Sequence, residues 1–243
     1  MQKIFVVGDI HGCFDKLCAL MDKIPINFTQ DQLIFIGDYI DRGSSSLEVV
    51  EYLIDLKKRW PATIFLKGNH EDMLEKYLDG SDRFTYLLNG GQRTLDAYLN
   101  RPNNPGEYPV PPAHLEFFKS LHRYYQTDDY IFVHAGLRKK VPLGSQKTVD
   151  LLWIRDEFIS TDFNFGKRVI FGHTPFTEPM VQANKIGIDT GAVYGNRLTC
   201  VQLPEIEFYS EFENFDDDEG YEHNPQCDDP ADLDRLRDAV SVK

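Results

Sequence analysis

The sequence predicts one α/β domain in which two mixed β-sheets pack face to face. Three observations carry that expectation. A strand–loop–helix pattern occurs three times in the first 80 residues, which implies parallel strands. The last third reads mostly as strands, so one mixed domain with two sheets accounts for both halves. Five short segments also share one composition: Gly8-Asp9-Ile10-His11-Gly12, Gly37-Asp38-Tyr39-Ile40-Asp41-Arg42-Gly43, Gly68-Asn69-His70-Glu71, His134-Ala135-Gly136 and Gly172-His173. Each sets hard metal ligands beside glycine, and at least three directly follow an apolar run. Several strands therefore end at one place and deliver ligands to it.

The elements follow in order. Residues 3–7 are short, β-branched and bounded by Gly8, the marks of a buried strand. Residues 13–23 have helical spacing, with Phe14, Leu17, Cys18, Leu20 and Met21 on the apolar side. Residues 33–36 form a second strand. Ser45 and Glu48 make an S-x-x-E capping box, residues 47–58 continue as a helix, and Pro61 breaks it. Residues 63–66 are a third strand. Residues 71–78 and 92–99 read as helices, 101–112 with five prolines as an irregular surface loop, and 113–121 as another helix. Residues 123–126 and 130–133 flank Asp128-Asp129, a hairpin signal. Strands are expected at 168–171, 180–183, 186–188, 198–203 and 205–209. The domain is expected to span 1–212, and 213–243 to be an acidic, mobile tail with a helix candidate at 231–240.

Size and charge set limits. The chain has 243 residues, 42% of them hydrophobic, enough for a substantial core. The net charge is −13, but residues 205–238 hold 14 acidic and 2 basic side chains, so the body is close to neutral. No basic stripe appears, which argues against a nucleic-acid partner. No stretch approaches the ~18 apolar residues of a membrane span, and the N-terminus does not read as a signal peptide. Cys13, Cys18, Cys200 and Cys227 show no CxxC spacing, so free thiols in a cytoplasmic protein are expected.

The clustered residues define a chemistry. Asp9 and His11 lie two apart after a strand and can face one ion if the chain stays extended. Asp38, on a central strand, is the natural bridge between two cations. Asn69 supplies a neutral oxygen, and His134 and His173 supply nitrogen. A lone G-H or H-A-G is ordinarily a satisfied core histidine. Here four of seven histidines fall in such settings, while His114, His122 and His223 do not. Six O and N ligands suit two divalent first-row ions such as manganese, iron or zinc. Two metals roughly 3.5–4 Å apart clamp an in-line displacement and lower the pKa of a shared water from ~15.7 towards ~7, so no Ser or Cys nucleophile is needed. Arg42, four residues after Asp38, has the guanidinium fork that grips phosphate oxygens. Arg155 is a second candidate, equally compatible with a surface salt bridge. His70 is placed to protonate a leaving oxygen, with Asp41 to orient it and keep it cationic. Neither of those two roles follows from spacing alone.

In this order and spacing, GDIHG, GDYIDRG, GNHE, HAG and GH resemble the phosphoprotein phosphatase family of dinuclear-metal phosphoesterases, within the calcineurin-like metallophosphoesterase superfamily. LLNGG at 87–91, WIRD at 153–156 and IDTGAVYG at 188–195 resemble its bacterial branch, similar to bacteriophage lambda phosphatase. The match covers residues 3–203. It implies a β-sandwich flanked by helices, four layers in all, with metals at one sheet edge. Asp9 and His11 would hold the first metal, Asp38 would bridge, and Asn69, His134 and His173 would hold the second. His70 would be the general acid, supported by Asp41, and Arg42 and Arg155 would bind phosphate. Manganese is the metal the resemblance implies first, with iron or zinc as alternatives. Ala135 replaces a glycine of eukaryotic members, and the acidic tail has no family counterpart.

The implied activity is hydrolysis of phosphoserine, phosphothreonine and phosphotyrosine in a protein, a peptide or a small phosphate ester. The rival is a symmetrical diadenosine tetraphosphate hydrolase. Enzymes of that group usually lack the acid before RG and carry GNHD, whereas this chain has Asp41 and Glu71. A non-catalytic binding protein on the same fold would show lost ligands, and none of the six is missing.

Overall fold

A computed structural model describes residues 2–100 and 110–211. Most of the 101–112 loop, the tail at 213–243, its helix candidate, His223 and Cys227 lie outside the described residues. Strand β1 (Ile4–Val7) leads into helix α1 (Phe14–Lys23), then β2 (Gln32–Phe35), α2 (Ser46–Arg59), β3 (Ile64–Phe65) and α3 (Asn69–Asp79). Next come α4 (Arg83–Tyr86), a π-helical turn (Leu87–Gly91), α5 (Gln92–Leu99) and α6 (Pro112–Lys119). Then follow β4 (Tyr124–Gln126), β5 (Tyr130–Val133), α7 (Thr148–Trp153), α8 (Asp156–Ile159) and β6 (Arg168–Phe171). The last strands are β7 (Met180–Val181), β8 (Lys185–Gly187), β9 (Leu198–Leu203) and β10 (Glu207–Glu211).

The strands form two five-stranded sheets, ordered β10-β9-β1-β2-β3 and β4-β5-β6-β8-β7. β1, β2 and β3 run parallel, as the repeated strand–helix pattern requires, and β9 joins β1 antiparallel. β5, β6 and β8 are parallel in the second sheet.

Period-two alternation explains the layers. Val6 and Ile34 of one sheet pack against Phe132, Ile170 and Ile186 of the other, forming the core between the sheets. The intervening residues Phe5, Val7, Leu33 and Phe35 face the other way, onto α1, α2 and the neighbouring helices. Ile131, Val133, Val169 and Phe171 likewise face Leu151, Ile154 and Phe158 of the α7–α8 region. The result is helix–sheet–sheet–helix. Each fully buried aliphatic side chain stabilises this arrangement by about 1.5–3 kcal/mol.

Three local expectations differ from the structure. Ser45 precedes α2, but its side chain makes no capping hydrogen bond, so the Ser45–Glu48 box does not form. The neighbouring Ser46 instead turns its hydroxyl to the Asp41 N–H. α3 starts two residues earlier than expected, because the Glu71 carboxylate accepts the Gly68 N–H and closes the first turn. The strand expected at 205–209 forms at Glu207–Glu211, after a turn in which Ile206 has φ +58°. α4, α7 and α8 have four to six residues, too few to show a helical period in sequence.

Candidate metal centre

The carboxyl ends of β1, β2, β3, β5 and β6 converge, and each leads into one of the five glycine-flanked segments. Asp9, His11, Asp38, Asn69, His134 and His173 all lie there, each 5% exposed or less. Two glycines explain why their motifs carry no larger residue. A Cβ on Gly68 would collide with Asp38 Oδ1, and a Cβ on Gly172 with Asp9 Oδ1. The backbone approaches the carboxylates so closely that only hydrogen fits.

Local backbone strain is concentrated at the same place. His11, Asp38, Asp41, Arg42 and His173 have φ of +48°, +53°, +73°, +68° and +64°. Non-glycine residues rarely hold this region, and the cost is of order 1–3 kcal/mol each. The chain therefore does not stay extended from Asp9 to His11; it turns left-handed at His11 and is fixed there by the backbone bonds from Ile10 and His11 N–H to the Asp38 carbonyl.

Donor atoms of Asp38, His134 and His173 lie within 4.8 Å of one another, and so do those of His11, Asp38 and His70. Asp38 belongs to both trios, the position a bridging carboxylate needs. Its Oδ2 is 3.4 Å from His11 Nε2, and its Oδ1 is 3.4 Å from His134 Nε2. Asn69 Oδ1 lies 2.9 Å from both His134 Nε2 and His173 Nδ1. Asp9 is in neither trio. Its Oδ2 accepts the His173 N–H at 2.9 Å.

Backbone carbonyls select the tautomers. His11 Nδ1 is 2.9 Å from the Ile40 carbonyl, and His134 Nδ1 is 2.9 Å from the Ile36 carbonyl. A carbonyl only accepts, so each Nδ1 carries hydrogen, and a neutral ring then presents the Nε2 lone pair to the centre. Three buried polar atoms here have no partner among the described residues: Asp9 Oδ1, His70 Nε2 and His173 Nε2. Of these, Asp9 Oδ1 and His173 Nε2 lie beside the shared Asp38 carboxylate as the oxygen and nitrogen ligands that a pair of divalent cations would satisfy.

The electrostatics agree. Burial pushes the Asp9 carboxyl well above its ordinary range, and the charges of Asp189 and Asp38 add to it. Burial also raises Glu71 to about 7 and Asp189 to about 6. Asp38 goes the other way: burial alone would raise it, but His134, His70 and His11 outweigh that and hold it well below. Burial lowers His11 to about 3 and His173 to about 2, so both are neutral donors near pH 7. His134 differs from these two: burial alone would lower it, but the Asp38 charge outweighs that and raises it. Buried acids gathered around the shared Asp38 carboxylate, with His11 and His173 neutral, attract positive charge.

Around this core, His70 Nδ1 lies 2.7 Å from Asp41 Oδ2, with both residues fully buried. Arg42, half-buried, reaches His11 Nε2 at 2.7 Å and lies 5.7 Å from the centroid of the exposed Tyr194 ring. Arg155 is exposed and donates to Thr174 Oγ1 at 3.3 Å. Its charge still reaches His173. Trp153 stands edge-on to the His173 ring at 5.9 Å. His114 is bonded to the Tyr98 hydroxyl, away from the centre.

Sequence reasoning missed Glu71, Asp189, Tyr86, Thr94 and Ser46. Glu71 accepts the N–H groups of Asp38, Tyr39 and Gly68, and so holds the loop that carries Asp38. Its place in GNHE was a usable signal. Tyr86 and Thr94 bracket LLNGG, which named the region but not its role.

A family profile of calcineurin-like phosphoesterases matches residues 2–198. A relative from Geobacillus sp. (strain WCH70), an asymmetrical bis(5'-nucleosyl)-tetraphosphatase PrpE, is 31% identical over 86% of this chain and 94% of its own length. A crystal structure provisionally assigned as a diadenosine tetraphosphatase superposes with a TM-score of 0.68 at 22% identity, covering 87% of this chain and 93% of that one. A cold-active protein tyrosine phosphatase follows at 0.63 and 20% identity, covering 87% and 76%. At these identities the two structures show a shared fold. No helix among the described residues is long and apolar enough to cross a membrane.

Proposed function

We propose, from the premise that this chain belongs to the calcineurin-like phosphoesterase family, that it hydrolyses bis(5'-nucleosyl) tetraphosphates asymmetrically, releasing a nucleoside monophosphate and a nucleoside triphosphate. The observation that carries this reading is the 31% identity to an asymmetrical tetraphosphatase along most of both chains. The symmetrical cleavage weighed above has no such support.

The family uses a dinuclear metal centre. In this chain Asp9, His11, Asp38, Asn69, His134 and His173 would hold the ions, with Asp38 shared and manganese the first candidate. Such a pair supplies positive charge to the phosphoryl oxygens and lowers the pKa of water near it. The remaining chemistry belongs to side chains. Arg42 grips phosphoryl oxygens, with Arg155 reaching in from the exposed side. Water attacks phosphorus in line with the bond that breaks. The electron pair of the broken P–O bond stays on the leaving oxygen, and His70 Nε2–H gives that oxygen its proton. Asp41 receives the His70 Nδ1–H and pairs with the charge of the ring.

One observation favours a second reading, a phosphoprotein phosphatase. The buried Asp41–His70 pair is a proton-donating device, and a serine or threonine alkoxide needs a proton more than a nucleotide leaving group does. Manganese-loaded protein incubated with diadenosine tetraphosphate and with a phosphoserine peptide separates the readings by ion-exchange chromatography. AMP plus ATP, formed with the higher kcat/KM, is the expected result. Two ADP would make the enzyme symmetrical, and faster peptide dephosphorylation would make it a protein phosphatase.

A further inference from the structure

The Asp41 carboxylate is completely buried, and such a charge persists only if donors satisfy it. One oxygen, Oδ2, receives His70 Nδ1–H. The other, Oδ1, receives two hydroxyls, from Tyr86 and from Thr94, each at 2.7 Å. Burial and the Asp41 charge push the Tyr86 phenol well above its usual range, so it remains a donor. Thr94 has a single hydrogen to give. The shorter contact to the carboxylate takes it, so in the 3.0 Å contact between Thr94 Oγ1 and Ser46 Oγ the serine is the donor. The Asp41 N–H is itself shared between Ser46 Oγ and Thr94 Oγ1, both at 3.0 Å. Thr94 thus accepts from the Asp41 backbone and donates to its side chain. Both ends of a residue held at φ +73° are fastened by one hydroxyl.

The Leu87–Gly91 turn makes this convergence possible. It is a π turn in which Gly90 adopts φ +94° and its carbonyl accepts the Arg42 N–H. A Cβ on Gly91 would sit 2.5 Å from the Tyr86 ring, so glycine there lets the ring reach Asp41. Tyr86 ends α4 and Thr94 lies in α5, and the turn brings both to one oxygen.

We propose that Tyr86 and Thr94 are positioning residues for proton transfer to the leaving group, acting through Asp41 on His70, and that the glycine-bearing turn between them sets their aim. This rests on the reading of His70 as the proton donor. With either hydroxyl gone, Oδ1 is left short of a donor, the carboxylate turns to find one, and the His70 ring loses its orientation.

The dependence on leaving group tests this. Phenyl phosphate departs poorly without a proton, whereas 2,4-dinitrophenyl phosphate needs none. Thr94→Val, which removes the hydroxyl and keeps the shape, is expected to lower kcat on phenyl phosphate about tenfold, part of the roughly hundredfold or more that general acid catalysis supplies, and on the dinitrophenyl ester less than about twofold. Thr94→Ser restores the phenyl phosphate rate, and bound metal is unchanged. Tyr86→Phe is expected to shift the same ratio in the same direction, and it carries the test should Thr94→Val not fold. Equal losses on both esters would overturn the proposal, since a merely structural defect does not distinguish leaving groups. His70→Asn in the same series separates two failures. If His70→Asn also shows no preference, the reading of His70 is wrong. If it shows the preference and the Thr94 and Tyr86 variants do not, only the positioning role is wrong.

Discussion

On one side of the site, His70 and Asp41 are fully buried, and the Asp41 carboxylate is held by Tyr86, Thr94 and His70, each at 2.7 Å. On the other, Arg155 is solvent-exposed and donates to Thr174 Oγ1 at 3.3 Å. The difference separates two tasks. On the proposed reading, His70 delivers a proton to one atom along one direction, and the buried bonds to Asp41 hold that ring in place beforehand. On the same reading, Arg155 meets a phosphate oxygen with a long guanidinium that can approach from many directions, a task that needs no buried frame. Arg42 is intermediate: half-buried, tied to His11 and left-handed in backbone, it shares the rigidity of the first side.

The largest test removes what both sides depend on. Asp38→Asn is expected to lower kcat about a thousandfold or more, because the charge shared by both donor trios is lost. Elemental analysis should show metal lost with it. Full activity in that variant would break the whole scheme. His70→Asn comes next, with about a hundredfold loss on esters with poor leaving groups. Bound metal should be retained; a parallel loss would move His70 from proton donor to ligand, a role that its trio with His11 and Asp38 makes sterically accessible. Arg155→Ala is milder. An exposed charge-assisted contact gives about a tenfold rise in KM with kcat little changed. A kcat loss matching that of His70→Asn would erase the contrast between the two sides.

The smallest effect is on stability. Burial holds His173 at about 2 in the native state, against an ordinary 6.5. The unfolded chain therefore takes up a proton that the native chain refuses. The stability from the neutral ring is present above pH 6.5 and is lost as pH falls through 6.5 towards 2. In chelator-treated protein, melting of the wild type should drop more steeply below pH 6.5 than melting of His173→Asn, with a gap of about 1 kcal/mol at pH 5.5. Parallel melting curves would show that this ring feels solvent more than its burial implies.

Most strands were legible because their signal is local. β5, β6 and β9 fall at the expected residues, since apolar alternation bounded by turn residues is complete within each stretch. The clustering of the six expected ligand residues was foreseeable for the same reason, since five stand directly beside a glycine at a strand end and His134 stands two residues from Gly136. The coupling between Asp41 and His70 was less so. They are 29 positions apart, and the hydrogen bond exists because β2 and β3 are neighbours in one sheet. The Ser45–Glu48 pattern misled, because the tertiary contacts of Ser46 with Asp41 and Thr94 replace a local cap.

The amino-acid sequence alone determined which side chains could meet at this edge: donors follow apolar runs, glycines flank them, and the alternation places most of the strands. Tertiary structure decided how they meet. The left-handed turn at His11, the two hydroxyls on Asp41 and the exposure of Arg155 arise where separate segments press together. Hydrogen bonds and close packing between distant parts of the chain hold backbone and rotamers there that no short stretch would adopt by itself.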